Sequence, residues 1–559
     1  MTQRENGLYR RIAEGAGVVV TLAILVPLAV TQSACEDTTD PPANQGAPAC
    51  APVAVSAPSG AEVESVVAVR QPGGTVSFPD APFGPTPAPI ADVPASCELT
   101  VTLTHPGAGD HVHVKVVLPE TGWTGRFQAL GGSAYAAGEF GAPLVRAVKN
   151  GYAAATTDAG VPLTFLDASW GLAADGTINA PLLTNFASRS VHEATWVGKD
   201  VTQKFYHRPI SYSYWSGCST GGRQGYSEAQ NFPDDFDGIL AIAPAINWSQ
   251  FAVASLWPQI VMYQEHDFPS TCVFNAFKDA AIRACDARDG VTDGILERPE
   301  TCDYDPRALA GTKVRCEGGD ITVTPADAEV VRKIWAGPTD EHHRPLWPGL
   351  PKGADFGGLA ATKLDTTGTP FAPGFPVAVG WVQTFLEKRL GFDTSTITYD
   401  QFAELFRQSV KEYDGIIGTS NPDLSAFRNA GGRLLTWQGG ADQLITPGGT
   451  IDYWQRVVQR LGGAPQVDDF YRVFLAPGVA HCEDGNGPIP TNALDTLVDW
   501  VEHGKPPDTL PAAITNASGK PVTRNLCHYP QVSSYVGQGD PNEATSYQCV
   551  GHGAASVQR

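Results

Sequence analysis

Residues 217–221 read Gly-Cys-Ser-Thr-Gly and match the pattern G-x-S-x-G, in which a serine stands between two glycines. Such a serine acts as a nucleophile when the pattern forms a strained turn between a strand and a helix, and small flanking residues are needed there. The pattern alone also describes an ordinary Gly/Ser turn. Here a strand-like run, 210–215, precedes it and a helix-compatible segment extends to residue 230. The sequence therefore predicts Ser219 as a nucleophile.

A serine hydroxyl needs a base to take its proton, and the base needs a carboxylate to orient it. Asp442 follows the strand-like run 434–437, and His481 follows a run that ends at residue 475. The order Ser, Asp, His is that of the α/β-hydrolases. Taken singly, the two residues would be a turn carboxylate and a surface histidine, but their order favours a triad. Asp484 is a weaker rival because it follows the histidine.

Attack on an ester creates an oxyanion, which backbone N–H groups must stabilise. In an α/β-hydrolase one donor is the residue after the nucleophile, here Thr220. The other comes from the turn after an early strand, here Gly-Gly-Ser at 131–133. The sequence does not decide which of the three amides points inward, and we favour Gly132. The alternative is that the paired glycines only form a tight turn.

Strand-like and helix-like runs alternate on both sides of the serine, which predicts an α/β fold with a mostly parallel sheet. Strand patterns occupy 101–104, 111–118, 126–130, 210–215, 238–243, 433–437 and 471–475, and helix patterns 191–205 and 451–461. The alternation stops between 246 and 425. We therefore predict an α/β-hydrolase catalytic domain formed by 61–245 and 426–559, and an inserted lid domain, 246–425, over the carboxyl ends of the strands.

The N-terminus and the overall charge bear on location and partners. Residues 1–34 carry arginines before an apolar run and predict a secretory signal peptide, while 35–60 are rich in Pro and Ala and predict a linker or loose arm. Cys35 resembles a lipid-anchor site. A formal net charge of −21 opposes binding to nucleic acid. We therefore expect a secreted protein, with a lipid anchor at the cell surface as an alternative. No protein partner is implied.

The neighbours of the predicted serine and histidine carry a family resemblance. Cys218 precedes Ser219 and Cys482 follows His481, with Asp442 between them in sequence, and this arrangement resembles the tannase and feruloyl esterase family. The resemblance implies a Cys218–Cys482 disulfide that ties the catalytic loops together. Of the eleven cysteines, it further implies the pairs Cys285–Cys302, Cys50–Cys97 and Cys527–Cys549, which leaves Cys272–Cys316 as the remaining pair and Cys35 over.

The segment 285–295, Cys-Asp-Ala-Arg-Asp-Gly-Val-Thr-Asp-Gly-Ile, looks like the calcium loop of that family. Calcium prefers several oxygen ligands, which alternating carboxylates supply. The alternative is a solvated acidic turn, and the spacing is not that of an EF-hand. The resemblance implies one structural Ca²⁺ bound by the side chains of Asp286, Asp289 and Asp293 and by the carbonyls of Val291 and Ile295.

The resemblance implies a serine esterase that cleaves aromatic carboxylic esters. Members of the family act on galloyl esters, on hydroxycinnamoyl esters and, in one case, on a terephthalate monoester. We expect feruloyl or other hydroxycinnamoyl esters, the broader activity of the family. Ile445 is aliphatic where the terephthalate-ester hydrolase carries an aromatic residue, which argues against terephthalate. Two other functions compete: a serine peptidase with the same triad, and a non-catalytic binding protein stabilised by calcium.

Overall fold

The computed structural model describes residues 49–79 and 86–551. Within these residues the strands are β1 Glu62–Gln71, β2 Gly74–Val76, β3 Ile90–Val93, β4 Ser96–Thr104, β5 Val112–Pro119, β6 Arg126–Leu130, β7 Ala153–Thr157, β8 Tyr212–Cys218, β9 Gly238–Ile242, β10 Lys313–Cys316, β11 Gly319–Thr322, β12 Lys363–Leu364, β13 Pro370–Phe371, β14 Arg433–Gly439, β15 Tyr471–Ala476, β16 Ile489–Pro490, β17 Thr509–Thr515, β18 Pro521–Cys527, β19 Gln531–Tyr535 and β20 Tyr547–Gly551.

The α-helices of the same residues are α1 Ala142–Lys149, α2 Ala180–Thr184, α3 Ser190–Tyr206, α4 Thr220–Asn231, α5 Trp248–Ala254, α6 Trp257–Glu265, α7 Thr271–Cys285, α8 Pro325–Ala336, α9 Pro376–Trp381, α10 Tyr399–Tyr413, α11 Ser425–Asn429, α12 Pro447–Leu461, α13 Ala464–Asp468 and α14 Ala493–His503. None of these helices is both long and apolar enough to cross a bilayer.

A nine-stranded sheet in the order β1-β4-β5-β7-β6-β8-β9-β14-β15 forms the centre of the fold. The pairs from β7 to β15 are parallel, and the pairs among β1, β4, β5 and β7 are antiparallel. The α/β fold with a mostly parallel sheet is confirmed. Because the carboxyl ends of parallel strands meet at one edge, the loops after β8, β14 and β15 lie together.

Helices cover both faces of the sheet because its central strands are apolar on both sides. On one face α3, α4 and α12 bury side chains such as Val197, Tyr226 and Val457 against the strands. On the other face α1 and α14 bury Leu144 and Leu497. The helix that follows β8 is thereby fixed, and the turn at its start is held against a packed sheet.

The segment between β9 and β14 contains α5 to α11 and carries a third apolar cluster. That cluster is not confined to the predicted lid. Tyr135, Trp170 and Phe186, which come from the loops after β6 and β7, pack with Trp248 and Trp381 of the insertion. The insertion therefore shares a hydrophobic core with loops of the catalytic segment. The predicted boundary at 246 does not separate two independent cores.

The described part of the predicted N-terminal arm, 49–60, is not loosely held. Cys50 forms a disulfide with Cys97 on β4. The Ser56 N–H donates to Asp200 Oδ2 at 2.9 Å, and Lys204 Nζ donates to the Ala54 carbonyl at 2.7 Å. The prediction of a linker is wrong for these residues, since a covalent bond and contacts to α3 fix them. The predicted signal peptide and Cys35 lie outside the described residues.

Candidate active site

Ser219 lies at the junction between β8 and α4, where the sequence predicts a nucleophile. Its backbone has φ 63° and ψ −121°, in a region that a residue with a side chain rarely adopts. Two main-chain hydrogen bonds hold this conformation: the Ser219 N–H donates to the Ile242 carbonyl at 3.0 Å, and the Ala245 N–H donates to the Ser219 carbonyl at 3.1 Å. The strained turn is therefore fixed by the neighbouring strand β9 and the loop that follows it.

The two glycines of the motif are required by close packing of the backbone. A Cβ atom built on Gly217 would lie 2.6 Å from the carbonyl carbon of Gly221, and one on Gly221 would lie 3.1 Å from the Gly132 oxygen. A side chain at Gly217 would push the strand and the helix apart. The motif G-x-S-x-G is thus a steric condition for this turn.

Asp442 and His481 are joined by a hydrogen bond at the same edge of the sheet. His481 Nδ1 lies 2.9 Å from Asp442 Oδ2, and the histidine side chain is 13% exposed whereas the aspartate is fully buried. An ionised carboxylate only accepts, so Nδ1 carries the hydrogen and Nε2 is left with a lone pair. A partly exposed imidazole in this state is able to take a proton.

Four donors surround the Asp442 carboxylate. Oδ1 accepts from the N–H groups of Leu444 and Ile445, both at 2.9 Å. Oδ2 accepts from His481 and, at 2.8 Å, from Gln438 Nε2. Hydrogen bonds to a charged form stabilise that form. The surroundings of Asp442 therefore favour a carboxylate of fixed orientation, although the residue has no contact with solvent.

The loops that carry Asp442 and His481 are bound to each other. The Ala441 N–H donates to the Val479 carbonyl at 2.9 Å, and the His481 N–H donates to Gln443 Oε1 at 3.0 Å. A Cβ atom on Gly439 would lie 2.3 Å from the Val479 oxygen, so a larger residue there would separate the loops. The histidine backbone is held by the residue that follows the aspartate.

A disulfide joins the nucleophile turn to the histidine loop. Cys218 and Cys482 are bonded, with their Cα atoms 6.0 Å apart, and a ring nitrogen of His481 lies within 4.8 Å of both sulfur atoms. Because both sulfurs are in the disulfide, they offer no thiolate to a metal. The bond joins the loops that carry Ser219 and His481, although 264 positions separate the two cysteines.

Of the two predicted oxyanion-hole residues, Thr220 fits the role and Gly132 does not. Thr220 begins α4, where the first N–H groups have no acceptor inside the helix, and its Oγ1 donates to the Ala134 carbonyl at 2.7 Å. Gly132 does not fit the role, because its N–H already donates to Gln224 Oε1 at 2.9 Å. The amides of Gly131 and Ser133 are also engaged, by the carbonyls of Ser216 and Ala136.

The remaining amide of this turn belongs to Ala134, which has φ 46°. Among the described residues this N–H has no hydrogen-bond acceptor. The sequence does not distinguish the amides of Gly132 and Ala134, because the acceptor for the Gly132 N–H is a side chain of α4, far away in the sequence. Ala134 replaces Gly132 as the candidate for the second donor.

All five disulfides named in the sequence analysis are formed. Besides Cys218–Cys482, the structure contains Cys50–Cys97, Cys272–Cys316, Cys285–Cys302 and Cys527–Cys549. Cys285–Cys302 closes the segment that contains the predicted calcium loop. The chain is thus cross-linked in the N-terminal arm, the insertion and the C-terminal strands.

The predicted calcium loop folds as a tight acidic turn. Each of its aspartates accepts backbone N–H groups of the loop: Asp286 from Asp293 and Gly294, Asp289 from Val291, and Asp293 from Ile295. Burial, with added repulsion from Asp293 and Asp286, raises the pKa of Asp289 to about 6. Burial also raises the pKa of Asp293, whose Oδ2 lies 3.2 Å from Arg524 Nη2.

The acidic side chains of this loop are of the type that binds a divalent cation. Asp286 and Asp293 lie close enough to Asp289 to repel its charge, and Arg524 lies 3.2 Å from Asp293 as a nearby positive charge. Burial is the largest cause of the raised pKa values of Asp289 and Asp293, and repulsion from neighbouring aspartates adds to it. Carboxylate and carbonyl oxygens are the kinds of ligand that calcium prefers. The side chains of the three aspartates and the carbonyls of Val291 and Ile295 are the residues that would hold it.

Comparison with known proteins places the chain in a family. The family model "Tannase and feruloyl esterase" matches residues 97–550. A "Probable feruloyl esterase" of Arthroderma benhamiae is 48% identical over 507 residues, which are 90% of this chain and 93% of the relative. "Feruloyl esterase B" of Aspergillus niger is 31% identical, over 82% of this chain and 88% of the relative.

Solved structures of the same group share the fold. A tannin acyl hydrolase from Aspergillus niger superposes with a TM-score of 0.79 at 28% identity and covers 88% of this chain and 92% of its own. Feruloyl esterase B from Aspergillus oryzae gives a TM-score of 0.73 at 28% identity, with 88% and 97% covered. The chain therefore belongs to the tannase and feruloyl esterase family and is a carboxylic ester hydrolase.

Proposed function

We propose that this enzyme hydrolyses feruloyl and related hydroxycinnamoyl esters through an acyl-enzyme on Ser219. The observation that carries the proposal is the joint geometry of the site: a strained serine turn is linked by the Cys218–Cys482 disulfide to a histidine whose Nδ1 is bound by a buried carboxylate. The 48% identity with a probable feruloyl esterase supports the substrate class.

The reaction runs in two balanced halves. Ser219 Oγ attacks the ester carbonyl while its proton passes to His481 Nε2, and the tetrahedral intermediate then expels the alcohol, which takes that proton. A water molecule attacks the acyl-enzyme in the same way and releases the acid and the free serine. Asp442 stays ionised throughout and stabilises the imidazolium. The N–H groups of Thr220 and Ala134 are the donors we assign to the oxyanion.

Galloyl esters are the second candidate substrates. The specific observation in their favour is the tannin acyl hydrolase of Aspergillus niger, whose fold matches with a TM-score of 0.79 against 0.73 for a feruloyl esterase B. Sequence identity favours the feruloyl group, since the relative at 48% carries that name. Global fold similarity weighs less here, because substrate choice depends on pocket side chains rather than on the path of the backbone.

We also propose a structural Ca²⁺ in the loop 285–295, held by Asp286, Asp289, Asp293 and the carbonyls of Val291 and Ile295. The excess of carboxylates over positive charge in this loop supports it. Bound there, the ion would neutralise the carboxylates and join α7 to the C-terminal strands. It supplies no step of the ester chemistry.

Export from the cytoplasm is part of the proposal. Five disulfides support folding in an oxidising compartment, because thiols in the cytosol are kept reduced. The apolar run within 1–34 supports a signal peptide. Cys35 would carry a lipid anchor only if cleavage occurs directly before it, which intact mass measurement of the mature protein decides.

A panel of esters tests the function. Purified enzyme is assayed on methyl ferulate, methyl p-coumarate, methyl gallate, the terephthalate monoester and a peptide amide, each beside Ser219→Ala. We expect the highest kcat/KM on a hydroxycinnamoyl ester and a loss of about 10⁴-fold or more in the variant. Faster turnover of methyl gallate would assign a tannase. Equal rates for wild type and variant on every ester would reject Ser219 as the nucleophile, and wild type with no turnover at all would indicate a binding protein.

A further inference from the structure

Gln438 is a fully buried side chain on β14 that lies behind the Asp442 carboxylate. Its Nε2 donates to Asp442 Oδ2 at 2.8 Å and to the Ile445 carbonyl at 2.9 Å. Its Oε1 accepts from Thr450 Oγ1 at 3.0 Å. All of these partners are buried in the same corner between β14 and α12. The amide therefore connects a hydroxyl on α12 to the carboxylate that faces His481.

These partners fix the direction in which the amide points. Asp442 and the Ile445 carbonyl only accept hydrogen bonds, so they require the NH₂ group, whereas the Thr450 hydroxyl is able to donate to the oxygen. A flipped amide would place Oε1 against two acceptors in a buried site and leave them without a donor. Such unpaired buried groups are costly. The donor is therefore held toward Oδ2.

Oδ2 is the oxygen that also accepts from His481 Nδ1 at 2.9 Å. A second donor on that oxygen disperses its negative charge and prevents the carboxylate from rotating. Both effects act on the histidine: dispersed charge weakens the pull of the carboxylate on a proton bound to the imidazole, and a fixed carboxylate fixes the ring. Removal of the donor should therefore move the acid limb of the pH profile of kcat/KM to higher pH.

We propose that Gln438 is a positioning residue for ester hydrolysis, which acts through Asp442 Oδ2 to set the orientation and the protonation of His481. The inference rests on the proposed triad, since it assigns Gln438 a role only if His481 is the base. Gln438 is not a catalytic residue, because Asp442 and His481 lie between it and the reacting atoms.

Other charged groups near this network stay constant in the test. Glu483 and Asp484 follow His481 in its loop, and Glu139 comes from the loop after β6, where burial and the nearby Glu483 raise the pKa of its carboxyl. From α12 the group that faces Gln438 is the uncharged hydroxyl of Thr450. A shift in the pH profile after substitution of Gln438 is therefore referable to the amide.

The test is the pH dependence of kcat/KM for Gln438→Met, measured on the aromatic ester that wild type cleaves fastest. Methionine keeps the length of the side chain and removes the donor. We expect kcat/KM on the plateau to fall about 10- to 100-fold and the acid limb to move up by about 0.5 to 1 pH unit. The matched control is Gln259→Met, a buried glutamine in the insertion that donates to the Ala372 carbonyl and accepts from Thr394. It should lose stability but keep the wild-type acid limb.

An acid limb for Gln438→Met that coincides with wild type would overturn the inference, even if the variant is less stable. If this variant does not fold, Thr450→Val decides, because it removes the hydroxyl that holds the amide and leaves Gln438 in place. The acid limb of Thr450→Val should also move to higher pH, by less than that of Gln438→Met. An acid limb that coincides with wild type would again overturn the inference. Failure of the proposed function looks different: Ser219→Ala would then retain the activity of wild type.

Discussion

Two regions of the molecule bury aspartates, and they treat the negative charge in opposite ways. Asp442 has no solvent exposure and is surrounded by four hydrogen-bond donors, two of them backbone N–H groups. In the loop 285–295 burial, with added repulsion from Asp293 and Asp286, raises the pKa of Asp289 to about 6, and Arg524 forms an ion pair with Asp293. In the first region protein hydrogen-bond donors stabilise the carboxylate, whereas the second region has more negative than positive side chains.

This difference separates two tasks. A catalytic carboxylate must stay ionised and fixed while the charge on its histidine changes, so its donors are built into the fold. A loop that binds a cation has more negative than positive side chains, because the bound ion supplies the remaining positive charge. Changes at the first region should therefore alter catalysis much more than stability, and changes at the second should do the reverse.

The largest effect is expected for Asp442→Asn. The amide would present an NH₂ group or a weaker acceptor to His481, and the histidine would lose the tautomer that leaves Nε2 free. We expect kcat to fall about 10⁴-fold with the fold retained. Asp484→Asn is the control, since Asp484 follows the histidine and its carboxylate has no role in the account. A drop of similar size for Asp484→Asn, measured by steady-state kinetics, would mean that the acid of the triad has been misassigned.

The next effect concerns the covalent link between the two catalytic loops. Replacing Cys218 and Cys482 together by alanine should reduce kcat/KM by about 100-fold, because a displacement of about 1 Å between reacting groups has that consequence. The matched control removes Cys272 and Cys316, a disulfide of the insertion, and should lower Tm with little change in kcat/KM. Kinetics and thermal melts of the two double variants give the answer. Equal losses of kcat/KM in the two double variants would show that the Cys218–Cys482 bond has no special effect on the catalytic geometry.

A smaller loss of kcat/KM is expected for substitution of Gln443, whose side chain binds the backbone N–H of His481. Gln443→Ala removes the acceptor for the His481 N–H at 3.0 Å and leaves the side-chain contact with Asp442 intact. We expect a decrease in kcat/KM of roughly 2- to 10-fold, the range of one ordinary hydrogen bond. A loss as severe as that of Asp442→Asn, seen in the same assay, would show that the backbone of this loop matters as much as the carboxylate.

Removal of calcium should have the smallest effect on catalysis. A chelator should lower Tm by roughly 3 °C, since ligand binding near 100 times its Kd contributes about 2.7 kcal/mol to a chain of this size, and added Ca²⁺ should restore it. Activity at 25 °C should change little. The loop does approach the histidine loop, because Ile295 packs against Gly478. Loss of activity at temperatures where the protein stays folded would show that this contact transmits the occupancy of the loop to His481.

Prediction from sequence succeeds here where the signal is local. Ser219, Asp442 and His481 each follow a strand-like run, so the parallel sheet alone places them at one edge. The prediction of Gly132 as the second oxyanion donor is wrong because Gln224, 92 positions further along the chain, accepts the hydrogen bond of that amide. Gln438 has no sequence signal, since its role arises only from the packing of β14 against α12. The arm 49–60 has the composition of a linker, and only Cys50–Cys97 and its contacts to α3 show that it is fixed.

Chemical labelling of the nucleophile tests the assignment of Ser219 most directly. Enzyme is treated with a fluorophosphonate probe, digested and analysed by mass spectrometry, with Ser219→Ala and Asp442→Asn beside it. We expect one modified peptide in wild type with the probe on Ser219, no labelling of Ser219→Ala, and slow labelling of Asp442→Asn at the same serine. Labelling of another residue, or labelling of Ser219→Ala at the rate of wild type, would contradict the assignment of Ser219 as the nucleophile.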